Sequence, residues 1–266
     1  MIKLIVAGAC GKMGSQILSL AAKDKNFQIA GAFESKGHAR IGKSLGEILG
    51  IEGLNVPVTA GVESAIKNGD VLIDFTHRDV TPDHVRACQQ AGKAMVIGTT
   101  GLSDETLKAI KQASQKIAIV QSPNMSAGVN LLFKLTELVA EKLSDEYDIE
   151  IVESHHRHKK DAPSGTALEL ARSAARGRKV DIARQAVYGR EGLTGERPKG
   201  AIGIHAVRGG DVVGDHTVSF MAEGERIELT HKASSREAFA KGALLAARFV
   251  AGKKTGLYTM HDVLGL

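Results

Sequence analysis

Two hydrophobic periods alternate along the first 120 or so residues. Consecutive apolar, β-branched runs at 3–8, 28–34, 71–75, 94–97 and 117–121 have the length and composition of strands covered on both faces. Between them, residues 14–22, 81–91 and 104–114 repeat their apolar positions at helical spacing. Ser103 stands before the last of these as an N-cap, and Asp104 and Glu105 fall in the first turn, where the helix dipole favours acids. Strand alternating with helix predicts a parallel sheet with helices on both faces, a Rossmann-like α/β domain.

The period changes at Ser122-Pro123-Asn124-Met125-Ser126, where proline and asparagine stop the strand and mark a hinge. An apolar helix follows at 129–143, then strands at 147–156, 201–207, 214–221 and 225–232, with one helix at 164–175. Strands that succeed one another through short polar turns predict an α+β domain with a mixed or antiparallel sheet. Residues 235–251 read as a long Ala-rich amphipathic helix and 257–264 as a short closing segment, both expected to return to the first domain.

Composition narrows what such a chain does. Of its 266 residues, 43% are hydrophobic and 24% charged, the mixture of a protein with a sizeable core and enough chain for one large or two modest domains. Cys10 and Cys88 are the two cysteines, too few for a disulfide framework and without CxxC spacing, which fits a reducing cytoplasm. The first apolar run ends in glycines without a cleavage pattern, and no run approaches the roughly 20 residues of a bilayer span, so neither secretion nor membrane insertion is expected. A net charge of +5 could signal nucleic acid, but the cations are scattered and aromatics are 4%. A small anion is the better partner.

Candidate chemistry sits in both halves. Gly8-Ala9-Cys10-Gly11-Lys12-Met13-Gly14 occupies the turn from first strand to first helix, where backbone N–H groups and the helix dipole can receive a pyrophosphate. The spacing is GxxGxxG, which a plain tight turn would also satisfy. Glu34 ends the second strand about twenty residues on, where an acid accepts hydrogen bonds from the adenosine ribose. Its charge opposes a 2′-phosphate, while Lys36, His38 and Arg40 just beyond could neutralise one. NADH is therefore favoured and NADPH stays open. Phe75-Thr76-His77-Arg78 and Gly98-Thr99-Thr100-Gly101 fall at the carboxyl edge of the same sheet, where such folds hold ligands.

In the second half, strand alternation puts His155 with Glu153 on one face and His156 with Ser154 on the other. Three imidazoles in four residues invite a metal, but Arg157, Lys159 and Lys160 would repel a divalent cation, and the spacing fits no zinc pattern. No metal is expected. A solvated basic loop would account for the charge alone. A catalytic reading uses every part: cations to attract carboxylates, and a His or Lys to deliver a proton. Ser164 can cap the following helix, and the N–H groups of Gly165 and Thr166 make a carboxylate receptor.

With HHRHKKDAPSGTA at 155–167, GACGKMG at 8–14, IDFT at 73–76, GTTG at 98–101, SPNMS at 122–126, YGR at 188–190, VRGGDVVGDHT at 207–217 and GLYTM at 256–260, the chain resembles the 4-hydroxy-tetrahydrodipicolinate reductases, long called dihydrodipicolinate reductases. The resemblance runs nearly end to end. It implies NAD(P)H-dependent reduction yielding tetrahydrodipicolinate in lysine and diaminopimelate biosynthesis, by a cytoplasmic homotetramer. It makes His155 and Lys159 the proton-handling residues. His156, Gly165 and Thr166 become the carboxylate ligands, helped by Ser164 and Lys159. Cofactor contacts fall on Gly8, Ala9, Cys10, Gly11, Lys12, Met13, Glu34, Gly98, Thr99, Thr100, Ser122, Pro123, Asn124 and Met125. NADPH-preferring members tend to carry a basic residue after the ribose acid, where this chain has Ser35, and His77 stands where some members have Arg. His158 receives no chemical role. The expected domains are residues 1–125 with 236–266 for the dinucleotide, and an inserted 126–235 for substrate binding and oligomerisation.

Overall fold

Strand β1 (Ile2–Ala7) buries Leu4 and Val6 on one face and Ile5 and Ala7 on the other, so both sides of its sheet must be covered. The computed structural model describes residues 1–266, which fall into two units, Met1–Ala127 with Arg236–Leu266, and Gly128–Ser235.

In the first unit, β1 is joined by β2 (Phe27–Glu34), β3 (Val58–Ala60), β4 (Val71–Asp74), β5 (Ala94–Ile97), β6 (Ala118–Gln121) and β12 (Gly256–Tyr258). The order is β12-β6-β5-β4-β1-β2-β3, and each neighbouring pair is parallel. Helices α1 (Lys12–Ala21) and α8 (Glu237–Ala251) cover the face of Leu4, Val6, Ile73, Val96 and Val120. Helices α3 (Thr81–Ala91) and α4 (Asp104–Ala113) cover that of Ile5, Leu72, Met95, Ile97 and Ile119. The small residues of α8 permit a close approach: a Cβ on Gly242 would overlap the carbonyl oxygen of Met125. That contact fixes the chain just beyond β6.

Four parts of this unit differ from expectation. Helix α1 starts at Lys12 rather than residue 14, because extended Gly11 is its N-cap. Helix α2 (Leu45–Leu49) and strand β3 were not anticipated: they have five and three residues, too short to show a period. The closing segment divides into β12 and α9 (Met260–Leu264), separated by a capping box in which Thr259 and Asp262 each satisfy the other's backbone N–H.

The second unit is built on β7 (Asp148–His155), flanked by parallel β9 (Ile202–Arg208) and antiparallel β10 (Gly214–Ala222). With β8 (Ala186–Tyr188) and β11 (Glu225–Ala233) the order is β11-β10-β7-β9-β8, a mixed sheet. Helices α5 (Ala127–Lys142) and α6 (Gly165–Arg178) supply Leu132, Phe133, Leu170 and Ala174 to a core with Ile149, Ile151, Ile204, Val218 and Phe220. A side chain the size of Phe220, fully buried, contributes about 2–3 kcal/mol. Helix α6 outlasts its expected end at 175 and stops where Lys179 turns left-handed, at φ 57°. The short α7 (Ile182–Gln185) and β8 were also unforeseen. On the sheet's other face, Arg190, Arg197 and His205 surround Glu150, and Val152 and Val207 are exposed. No helix of the protein is long and apolar enough to cross a membrane.

Candidate active site

The glycine turn after β1 is shaped by steric limits. Gly8 has φ +62°, a conformation that L side chains rarely adopt, and a Cβ on Gly14 would overlap the Gly8 carbonyl oxygen. Gly11 brings no side chain to cap α1, so the positive end of the helix is open to an anion. The turn is tied to the end of β2, with Ala9 N–H donating to Phe33 O at 3.2 Å and Cys10 N–H to Glu34 Oε1 at 2.9 Å. Burial, with the neighbouring Glu34 charge, pushes the Cys10 thiol pKa up, so Cys10 stays a neutral thiol there.

Between the ends of β4 and β5 lies a network that sequence reasoning missed. Asp74 is fully buried; its Oδ1 accepts from the Thr76 N–H at 2.8 Å, the Thr76 hydroxyl at 2.5 Å and the Thr99 hydroxyl at 3.2 Å. Its Oδ2 lies 3.0 Å from His84 Nδ1 on α3. Burial alone would raise the Asp74 pKa, but His84 and Thr76 outweigh it and hold the carboxyl below its usual range. One carboxylate thereby joins the Phe75–Thr76 and Gly98–Thr99 segments. An acid inside an apolar run was the available signal, since a buried carboxylate requires partners; nothing in the sequence pointed to His84.

Next to this network, a Cβ on Gly98 would overlap the Phe75 ring. Ser122 donates to Asn124 O at 2.8 Å, and Asn124 Oδ1 accepts from the Ser126 N–H at 2.9 Å. Met13, Phe75, Gly98, Pro123, Asn124 and Met125, with Arg236 and Phe239, line a cavity of about 250 Å³. Three segments expected to contact the cofactor therefore meet there. Thr99 and Ser122 are buried with inward hydroxyls, and Glu34 lies outside the cavity lining.

The second unit places the basic segment at the end of β7. Glu153 and His155 share the buried face, as alternation requires, and His155 Nδ1 is 2.5 Å from Glu153 Oε2. His156 is already past the strand, because β7 ends one residue earlier than expected; its N–H donates to Val212 O at 2.8 Å. His156 Nδ1 is buried without a hydrogen-bond partner. Lys159 Nζ pairs with Asp161 at 2.9 Å. His158 is exposed, its ring 6.2 Å from that of His156.

Ser164 is the N-cap of α6, accepting from the Ala167 N–H at 3.1 Å, and its hydroxyl also bonds His216 Nε2 at 3.0 Å. Gly165 and Thr166 begin the helix. Arg208, Gly214 and His216, which lie in the 207–217 motif but were given no role from sequence, close around the His155–Glu153 pair. Burial lowers the His155 pKa below the ordinary value; Glu153 opposes this, while Lys159 and Arg208 reinforce it. Burial, with the nearby His155, carries His216 down to about 4.

Because folded His216 titrates near 4 instead of 6.5, the unfolded chain takes up its proton first as pH falls. Stability is full above about 6.5 and drops by ~3 kcal/mol by pH 4, with His155 and His231 acting in the same direction. Glu150 responds lower. Despite its burial, Arg190, His205 and Arg197 hold it at about 2 instead of 4.5, so its contribution is present above 4.5 and lost towards 2. Urea unfolding at successive pH values should show stability declining from pH 6.5, and a His216→Leu variant should lose much of that first decline. A flat wild-type profile between pH 7 and 5 would refute the assignment.

Comparison with known proteins covers both units. The family model described as dihydrodipicolinate reductase, N-terminus, matches residues 2–125, and that for the C-terminus matches 128–264. A 4-hydroxy-tetrahydrodipicolinate reductase of Nitrosospira multiformis is 49% identical over 265 residues, spanning 100% of this chain and 98% of the relative. One from Desulfotalea psychrophila is 49% identical over 266 residues, with 100% and 99% covered. Among solved structures, a dipicolinate-bound dihydrodipicolinate reductase from Paenisporosarcina sp. TG-14 aligns with a TM-score of 0.79 at 29% identity, over 98% of this chain and 99% of that one. An amine dehydrogenase from Mycobacterium smegmatis, 13% identical with a TM-score of 0.60 over 97% and 95% of the two chains, shares the fold alone.

Proposed function

Because the chain belongs to the dihydrodipicolinate reductase family, an oxidoreductase family, we propose that it reduces 4-hydroxy-tetrahydrodipicolinate to tetrahydrodipicolinate in lysine and diaminopimelate biosynthesis, with His155 and Lys159 handling the protons. The observation that carries this reading is the basic segment. It supplies a buried imidazole–carboxylate pair, an ammonium and a helix N-terminus within a dozen residues.

The residues fit a nicotinamide dinucleotide. Gly8, Ala9, Cys10, Gly11, Lys12 and Met13 form a tight turn at the uncapped end of α1, held so close to the helix that a Cβ at Gly14 would overlap the Gly8 carbonyl oxygen. Glu34 would meet the ribose, and Gly98, Thr99, Thr100, Ser122, Pro123, Asn124 and Met125 the remainder. When bound, the dihydronicotinamide supplies a hydride. Glu34 favours NADH over a 2′-phosphorylated cofactor, and Ser35 adds no cation to offset it.

The substrate's carboxylates belong with His156, Lys159, Ser164, Gly165 and Thr166. In support, His156 Nδ1 lacks a protein partner, the α6 N-terminus favours an anion, and the Paenisporosarcina relative binds dipicolinate, a dicarboxylate. Lys159 Nζ carries the proton to be donated and His155 the one to be exchanged. We place the homotetramer contacts on the outer face of the five-stranded sheet, where Val152 and Val207 are 40% and 50% exposed.

The test supplies the purified protein with the product of dihydrodipicolinate synthase and follows cofactor oxidation by absorbance. Oxidation is expected with both cofactors, with the lower KM for NADH. A folded preparation that oxidises neither would sink the reading, and a monomer by light scattering would remove the tetramer.

A further inference from the structure

Glu153, Arg208, Gly214 and His216 surround His155, and none of them has yet been given a role of its own. Glu153 lies two residues back on β7 and is fully buried. A buried carboxylate persists only when its lone pairs are met and its charge is balanced. Arg208, at the end of β9, does both: Nη1 donates to Oε2 and Nη2 to Oε1, each at 2.8 Å. The Ser164 N–H adds a third bond, to Oε1 at 2.9 Å. A fork of this kind fixes the plane of the carboxylate as well as its charge.

An ionised carboxylate can only accept, so the nitrogen 2.5 Å away, His155 Nδ1, must be the donor. The neutral imidazole is then the Nδ1–H tautomer, and Nε2 is the atom whose proton comes and goes. Nε2 has no hydrogen-bond partner in the protein. It faces Gly214, where a Cβ would stand 3.0 Å from it and 3.5 Å from Cδ2.

We propose that Glu153, locked by Arg208, is the positioning residue of His155, and that Gly214 keeps the approach to Nε2 open. The inference rests on the reading of His155 as a proton-exchanging group. Glu153 favours the imidazolium that forms when Nε2 takes up a proton, while Arg208 restrains Glu153 from removing the proton on Nδ1. His216 on β10 packs edge-on to His155, with ring centroids 5.2 Å apart and planes at 77°. It stays neutral near pH 7 and limits the tilt of the ring. Of the other charged or titratable groups, Lys159 acts on both imidazoles, His231 on His216 and Asp161 on Arg208.

The test combines kinetics with the tautomer itself. Glu153→Gln should lower kcat about 10- to 100-fold and move the His155 limb of the kcat profile to lower pH, because the anion that favours the imidazolium is gone. Gly214 is not in the left-handed region, so Gly214→Ala should fold normally, lower kcat about tenfold or more and leave the Kd for NADH unchanged. Long-range proton–nitrogen spectra of histidine-labelled wild type, with His155 identified by its loss in His155→Gln, should show Nδ1 protonated; this arm stands even if Glu153→Gln does not fold. Nε2 protonated in its place, or wild-type kcat in Gly214→Ala, overturns the proposal. Wild-type kcat and pH profile in Glu153→Gln, beside an inactive His155→Gln, overturn the positioning role alone. Wild-type turnover in His155→Gln overturns the underlying reading as well.

Discussion

Replacing Lys159 by Met is expected to lower kcat by roughly 10²- to 10⁴-fold, the span over which a positioned proton donor contributes, while NADH binding stays as it was. Lys159 follows β7 by four residues, in a turn whose N–H donates to His156 O at 3.1 Å. Its ammonium is partly sheltered and paired with Asp161, which is mostly exposed. Methionine keeps most of the apolar stem and deletes the donor, so packing is largely preserved while the proton is lost. Steady-state kinetics give kcat, and fluorescence titration gives the Kd for NADH, whose proposed contacts all lie in other segments. Unchanged turnover would take Lys159 out of the proton-donor role. A fall in turnover with an equal loss of NADH affinity would assign it to binding instead.

The second large effect is expected at Gly14. An added Cβ has no room beside the Gly8 carbonyl oxygen, and the obstacle is backbone, which cannot swing aside as a side chain can. Either α1 moves off the sheet or the turn opens, a strain of about 1–3 kcal/mol. Spent on the turn, this corresponds to a rise of roughly ten- to a hundredfold in the Kd for NADH. Gly252→Ala is the control, because a Cβ there meets Phe249 O at an ordinary 3.7 Å. Calorimetric binding with wild-type affinity in Gly14→Ala would show that the turn does not hold the cofactor.

What was legible in the sequence was local and periodic. Buried strands such as β4 and β5 announce themselves as unbroken apolar runs, α3 matches its expected bounds, and alternation alone put Glu153 and His155 on one face. Ser164 as a cap was equally plain, since a serine between proline and an apolar helix has few other uses. The chain from 35 to 60 was not, because glycines at 37, 42, 50 and 53 with positive φ reverse it before any period is established. The partners of Glu153 were hidden for another reason. Arg208 is 55 residues away on a neighbouring strand, and Ser164 meets His216 across 52 residues. Register between strands decides such pairs, and one sequence does not display register. Asp74 lay between: its burial was readable, its partner on α3 was not.

The discontinuity of the first unit bears on how the chain acquires its shape during synthesis. The second unit is one uninterrupted stretch, Gly128–Ser235, and its sheet can form as soon as that stretch has left the ribosome. The seven-stranded sheet must wait. Its edge strand β12 pairs Gly256 with Ala118 and Tyr258 with Val120, and the face above Leu4 and Val6 lacks the α8 side chains until residues 237–251 are made. Until then the nascent chain carries an apolar sheet face and an unpaired β6 edge, the surfaces that chaperones and neighbouring chains bind.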